Sequence, residues 1–362
     1  MCRRWCWVFF TFFLSSIFTC RCLAIDVSAA STVLIEQKSG RVLFQEAADE
    51  EHLIASITKI MTAVVALEHG ELEKPYTVTV DDMAEGSSMY LKPGETLTLE
   101  ELLYGLMLAS GNDAALAVAH CVSGELAEFV ALMNRTAEKL GMTQSSFANP
   151  NGLDQEGHYS TARDMAVLAA YALNNESFRR IVSTENITIG ERYLKNHNKL
   201  LKLCEGCIGV KTGYTKAAGR TLVSAAERQG MTLICVTLKD GDDWNDHIRL
   251  FDYGFSSYHM ETPVNTGSVM ASTVVTGGNQ TQVKLVANAD FVYPVKDDEK
   301  LTVCVQVPVS VSAPLMTGQR VGTVRIHLDG IEIGSIPLVA TATVAVQEND
   351  STDFLQRFFS RK

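Results

Sequence analysis

The chain has 362 residues, 46% hydrophobic and 20% charged, and 42 acidic against 31 basic residues give a formal net charge of −11. At ~150 residues per domain the length suits two domains, and the composition supplies a core and excludes a disordered or collagen-like chain. Acid excess without an internal basic cluster excludes nucleic acid as a partner, and no repeat or long heptad run points to a solenoid or coiled coil.

Arg3 and Arg4 precede an apolar run over 5–20 that ends near Cys22-Leu23-Ala24. A short cationic region, an apolar stretch and a small residue describe a secretory signal peptide over 1–24. The alternative is an uncleaved membrane helix, since the run approaches the ~20 residues a span needs. Cleavage after Ala24 would take the net charge to −14 and put the protein's work outside the cytoplasm. Of nine cysteines, Cys121, Cys204, Cys207, Cys235 and Cys304 would remain. That number is odd, so at least one stays free or pairs between chains.

Residues 32–36 and 41–45 alternate around Lys38-Ser39-Gly40 and read as a hairpin. Over 56–68, Ile57, Ile60, Met61, Val64, Val65 and Leu67 recur at helical spacing, and Gly70 stands where a C-terminal cap would. Further helices fit 99–109, 113–122, 125–140 and 161–173. Strands fit 208–211, 221–227 and 232–239, the last two joined by a turn at Gln229-Gly230, and a final helix fits 244–253. Such an order suggests a sheet flanked by helices. Beyond residue 261 helical periodicity gives way to short Val-, Ile- and Thr-rich runs, clearest at 282–286, 302–307, 321–328 and 331–336, with Asp329-Gly330 as a hairpin turn. That is a small all-β domain with no catalytic cluster, read as a spacer or binding module.

Three motifs carry chemistry. In Ser56-Ile57-Thr58-Lys59, a helix starting at Ser56 puts Lys59 at i+3, its amine in reach of the hydroxyl. An unprotonated lysine can activate a serine, although S-x-x-K occurs by chance about once in a chain this long. Ser110-Gly111-Asn112 offers a hydroxyl to relay a proton and a carboxamide to hold a peptide, or simply a helix break with Asn112 as N-cap. Lys211-Thr212-Gly213, at the end of a predicted strand, could grip a carboxylate while Gly213 lets a substrate backbone approach. A second cation there would push Lys59 toward its neutral form. Between the last two motifs, Cys204 and Cys207 have C-x-x-C spacing, but zinc would need two further ligands where only His197 lies nearby in sequence, and a redox dithiol normally opens a helix. A structural disulfide or two unpaired thiols remain.

Together and in this order, Ser-x-x-Lys, Ser-x-Asn and Lys-Thr-Gly resemble the signature of penicillin-interacting serine enzymes. With Ile25-Asp26-Val27-Ser28-Ala29-Ala30, Ser88-Met89-Tyr90-Leu91-Lys92-Pro93-Gly94-Glu95, Ser160-Thr161-Ala162-Arg163-Asp164-Met165 and Gly209-Val210-Lys211-Thr212-Gly213-Tyr214-Thr215, the chain looks like the low-molecular-mass penicillin-binding, serine-type D-alanyl-D-alanine carboxypeptidases. The resemblance implies an α/β (α+β) fold: a signal peptide at 1–24, a β-lactamase-like domain with an antiparallel sheet flanked by helices at 25–260, a β-rich domain at 261–346 and a tail at 347–362. It implies Ser56 as nucleophile, Lys59 as base and Ser110 as proton relay, with Asn112, Lys211, Thr212, Gly213 and Tyr214 binding substrate, and an oxyanion hole of the Ser56 and Tyr214 N–H groups. The substrate would be a peptidoglycan stem peptide ending in D-Ala-D-Ala, with β-lactams as covalent inhibitors and no metal or organic cofactor. The setting would be cell-wall maturation at the outer face of the bacterial cytoplasmic membrane or in the medium. Arg249, a further candidate carboxylate ligand, is left out of the site.

Alternatives are a β-lactamase-type hydrolase, for which only Glu156 is placed as deacylating acid, and an inactive cell-wall binding protein, which would have no chemical need for both lysines. None of the eight histidines forms an H-E-x-x-H pair, and no G-x-S-x-G elbow is present, which excludes metallo-carboxypeptidases and His-based serine hydrolases. In the tail, Phe354, Leu355, Phe358 and Phe359 would share one helical face beside Arg357, Arg361 and Lys362, as in an amphipathic membrane anchor. A frayed end or a strip packed on the β domain is the other reading.

Overall fold

The computed structural model describes residues 25–347; the expected signal segment and the tail beyond Gln347 lie outside the described residues. The chain opens with the hairpin β1 (Ser31–Glu36) and β2 (Val42–Glu46), then a 3-10 turn at Ala55–Thr58 that runs into α1 (Lys59–His69). A small pair β3 (Pro75–Thr77) and β4 (Thr96–Thr98) precedes the helices α2 (Leu99–Leu108), α3 (Asn112–Ser123), α4 (Leu126–Lys139), α5 (Ala162–Ala172) and α6 (Glu176–Ser183). The hairpin β5 (Asn186–Ile189) and β6 (Arg192–Lys195) and the short α7 (Leu200–Leu203) lead to β7 (Cys207–Thr215), β8 (Gly219–Arg228), β9 (Met231–Leu238) and α8 (Asp243–Ser257).

The main sheet is antiparallel in the order β2-β1-β9-β8-β7, which leaves β7 at an edge. Its two faces follow the period of two along each strand. Val33, Ile35, Ile234 and Val236 point into the core shared with α1 to α6, whereas Leu34, Leu233 and Cys235 point to a second core with Leu250 and Phe251 of α8. Helices thus cover both faces, and α2 starts where its sequence says: Thr98 caps it, with Glu101 closing a capping box. Gly70 ends α1 in an extended conformation, not a left-handed one. It is small because a Cβ there would stand 2.4 Å from Leu99 Cδ2.

After α8 the chain is all β: β10 (His259–Val264), β11 (Val269–Thr276), β12 (Gln282–Ala287), β13 (Phe291–Val295), β14 (Leu301–Gln306), β15 (Ser310–Ser312), β16 (Arg320–Leu328) and β17 (Ile331–Ala340). β10 pairs with β13, and the rest form a sheet in the order β14-β16-β17-β12-β11-β15 around a core that includes Leu285, Val324, Ile326 and Leu338. Asp329 and Gly330 both have positive φ (49° and 86°), as the twisted two-residue turn between β16 and β17 requires. Arg41, beside β2, reaches this part of the chain: its guanidinium bonds Glu299 and the carbonyl of Pro294 and lies over the rings of Tyr258 and Tyr293.

Candidate active site

Ser56 lies inside the 3-10 turn, not at the start of an α-helix as its periodicity suggested. The difference favours the chemistry, because residues i and i+3 eclipse one another in a 3-10 helix. Lys59 Nζ stands 3.0 Å from Ser56 Oγ. The lysine is fully buried, and its amine also donates to Asn112 Oδ1 at 2.8 Å and to the carbonyl of Asn151 at 2.5 Å. Asn112 is fixed in that orientation because its Nδ2 donates to the carbonyl of Glu85 at 2.7 Å. Asn112 opens α3 while Gly111 occupies the N-cap, so its side chain is free for the site.

Ser110 sits between α2 and α3 with φ +58°, a left-handed conformation that is uncommon for a residue with a Cβ. Its Oγ accepts from Lys211 Nζ at 3.0 Å, and the same amine donates to the carbonyl of Thr212 at 2.8 Å. Asp113 braces this corner by accepting from Ser88 Oγ and from the N–H groups of Met89 and Leu91. Lys211, Thr212 and Gly213 lie in the middle of β7, not at its end, because the strand runs on to Thr215. A Cβ on Gly213 would stand 2.9 Å from the Ser56 nitrogen and 3.1 Å from that of Ile57, so only glycine lets the edge strand approach the Ser56 backbone this closely. Thr212 is half-buried, and Tyr214 is exposed on the same strand.

Two buried lysines this near cannot both stay charged. Burial, then the charge of Lys211, and against them Asp113, hold the Lys59 amine well below its usual range. Burial alone pushes Lys211 down to about 7. Both shifts favour the uncharged amine, and for Lys59 the neighbouring charge of Lys211 adds to burial. A neutral amine has two N–H donors and one lone pair. Asn112 Oδ1 and the Asn151 carbonyl are pure acceptors and take the two donors, so the lone pair is left facing the Ser56 hydroxyl.

Sequence reasoning missed the loop 149–158. It supplies the Asn151 carbonyl to Lys59, the Pro150 carbonyl to Thr62 Oγ1 at 2.6 Å, and Gly152, where a Cβ would lie 2.0 Å from the Ala55 carbonyl. A backbone carbonyl leaves no mark in residue type, and the only signal was the Asn149-Pro150-Asn151-Gly152 turn composition. Glu156 of this loop is exposed. Arg249 on α8 is taken up by Asp246.

Cys204 ends α7 and Cys207 begins β7, both as free thiols. Burial pushes Cys207 up to about 12 and raises Cys204, so neither is a thiolate near neutral pH, and a reactive dithiol needs the opposite shift. A Cys204→Ser/Cys207→Ser protein should therefore release product within about threefold of the parent rate. Loss of release from a double variant with an intact unfolding transition would overturn this.

Comparison with known proteins gives one consistent set of relatives. A family described as D-alanyl-D-alanine carboxypeptidase matches residues 19–242, and one described as penicillin-binding protein 5, C-terminal domain, matches residues 258–346. D-alanyl-D-alanine carboxypeptidase DacF of Bacillus subtilis is 34% identical over 86% of this chain and 85% of its own length. The Escherichia coli carboxypeptidase DacC is 34% identical over 89% of this chain and 85% of its own. Among solved structures, penicillin-binding protein 5 of Haemophilus influenzae superposes with a TM-score of 0.78 at 28% identity, covering 88% of this chain and 98% of that one.

Proposed function

The chain belongs to the D-alanyl-D-alanine carboxypeptidase family, and on that premise we propose how its own residues carry out the family's reaction. It is a serine-type carboxypeptidase and penicillin-binding protein, a family that acts on peptidoglycan ending in D-Ala-D-Ala and binds β-lactams. In the proposed course, Ser56 Oγ gives its proton to the Lys59 lone pair and attacks the carbonyl carbon of the penultimate D-alanine. The oxyanion that forms faces the N–H groups of Ser56 and Tyr214. Ser110, held by Lys211, passes its proton to the departing nitrogen as the C–N bond breaks and D-alanine leaves, and takes its replacement from the Lys59 ammonium, which becomes a free amine again. Water then attacks the Ser56 ester, giving a proton to the freed Lys59 amine, and that proton passes to Ser56 Oγ as the ester bond breaks and the serine is regenerated. Asn112 holds the acyl side, while Lys211 and Thr212 grip the terminal carboxylate beside Gly213. The observation that carries this reading is the Lys59 amine, whose donors are consumed by two acceptors at 2.8 and 2.5 Å while Ser56 Oγ stands 3.0 Å away. The experiment that tests it is incubation with diacetyl-Lys-D-Ala-D-Ala, scored for free D-alanine; no release would overturn it.

Lys211→Ala should weaken recognition of the substrate carboxylate, with kcat/KM on the acid falling on the order of a hundredfold. A carboxamide-ended analogue lacks the charge and should lose much less. Equal losses on both substrates would remove Lys211 from carboxylate binding.

The proposal divides the chain into a signal peptide at 1–24, a catalytic unit at 25–260, a β unit at 261–346 and a tail at 347–362. It places the enzyme outside the cytoplasm, with the tail as a tether to the membrane surface. Phe354, Leu355, Phe358 and Phe359 supply the apolar face, and Arg357, Arg361 and Lys362 suit anionic headgroups. Protein without residues 1–24 should sediment with anionic vesicles at low salt, whereas a version ending at Asp353 should stay in solution with full activity on soluble peptide. Equal sedimentation of the two would rule out the tether.

A further inference from the structure

The turn that presents Ser56 is strained at the residue before it. Ala55 has φ +48°, a conformation that L-residues avoid unless their surroundings impose it. Its carbonyl is held from one side by the close approach of Gly152 and from the other by Thr58 Oγ1, which donates to it at 2.8 Å. Thr58 is itself gripped by His158, whose Nε2 lies 2.8 Å from Thr58 Oγ1. On the far side of the ring, Nδ1 accepts the Ala148 N–H at 3.0 Å.

The two ends of this chain fix its direction independently. Thr58 has a single hydroxyl hydrogen and spends it on the Ala55 carbonyl, so it must accept from Nε2. Nδ1 faces an N–H donor, so it carries no proton, and the proton must be on Nε2. Both conclusions give the same neutral tautomer. Burial supports it, pushing His158 down to about 4, so the ring is uncharged at neutral pH. The hydrogens therefore run one way: from Ala148 N–H to His158, from His158 to Thr58, and from Thr58 to the carbonyl just ahead of Ser56.

We propose that His158 is a positioning residue for acylation, acting through Thr58 to hold the strained Ala55 peptide so that Ser56 Oγ meets the Lys59 amine. The inference rests on Ser56 being the nucleophile. His158 touches neither substrate nor the reacting atoms. Its hydrogen bond sets the angle of the nucleophile, a geometry in which displacement by about 1 Å can cost on the order of a hundredfold in rate. The loop that carries His158 also carries the Asn151 carbonyl, so the two partners of the Ser56–Lys59 pair are set by one segment.

Two variants of similar volume separate the hydrogen bond from the packing. His158→Gln keeps an N–H donor at the place of Nε2, and His158→Met keeps only bulk. With full-length enzyme and diacetyl-Lys-D-Ala-D-Ala, His158→Met should lose about tenfold or more in kcat with KM within about twofold. His158→Gln should stay within about threefold of the parent. Thr58→Val should match His158→Met, Thr58→Ser should recover most of the rate, and Thr58→Val/His158→Met should be no slower than either single variant, as members of one chain are non-additive. Equal kcat for the Gln and Met variants would overturn the proposal. Should His158→Met not fold, equal kcat for Thr58→Val and Thr58→Ser would overturn it in the same way. A Ser56→Ala control in the same assay separates this inference from its premise: release that survives in the control sinks the nucleophile, whereas release lost only there and unchanged in the others sinks His158 alone.

Discussion

Ser56→Ala is expected to abolish both covalent labelling by a fluorescent penicillin and release of D-alanine, a loss on the order of 10⁴-fold or more. The size follows from the division of labour in the site. In the proposed course Ser56 Oγ forms the new bond, and the only other hydroxyl among the motif residues close to a lysine amine is Ser110, 3.0 Å from Lys211. Ser110 cannot substitute, because Lys211 aims its N–H donors at it and at the Thr212 carbonyl, so no lone pair of that amine faces the hydroxyl. Ser56 is half-buried, its hydroxyl is bonded within the protein to Lys59, and the substitution should move stability by no more than about 1 kcal/mol. Reversible binding of the peptide should survive, since Asn112, Lys211 and Thr212 are untouched. Labelling of the variant at the parent rate would remove Ser56 from its role.

How much of this was legible beforehand depends on what each feature asks of the sequence. α1 to α5 and α8 are long enough for helical periodicity to show, and β7 to β9 are apolar runs broken by turn residues. α6 spans only Glu176–Ser183 and depends on Asn175 accepting the Phe178 N–H at 3.0 Å. β5 and β6 are four residues each and partly exposed, so burial impresses little alternation on them, and β3 and β4 are shorter still. β10 and β11 were not singled out for a related reason, since half of the residues in each are exposed. In the site, Ser56, Lys59, Ser110, Asn112 and Lys211 were legible because their chemistry admits few other side chains. The backbone contributions were not. The Asn151 carbonyl could come from any residue, and the left-handed turns at Ala55 and Ser110 are imposed by the packing around them rather than by their own preferences.

Lys59→Arg should still bind substrate but lose acylation by about 10² to 10⁴, the usual worth of a general base. Arginine keeps the charge and the donors, yet its guanidinium does not give up a proton near neutral pH. It therefore cannot present a lone pair to Ser56 Oγ, whereas the native amine can, because burial and Lys211 both favour its neutral form. The same cause sets the pH dependence. In the native enzyme acylation should fall as pH drops through the Lys59 value, which lies far below the 10.5 of an unburied lysine, and this limb should be missing from the arginine variant. Stability should move in a related way. With Lys211 at about 7 in the folded protein and 10.5 when exposed, the unfolded chain holds more protons between those values, so the lysine contribution rises with pH from about 7 and falls again on acidification. Cys207 works against it above 9.0, where the unfolded thiol ionises and the buried one, at about 12, does not. The rise should therefore be read between about pH 7 and 9 by denaturant unfolding of the native protein, beside rates of penicillin acylation for both proteins. Near-normal acylation by a folded Lys59→Arg enzyme would show that the proton of Ser56 goes elsewhere.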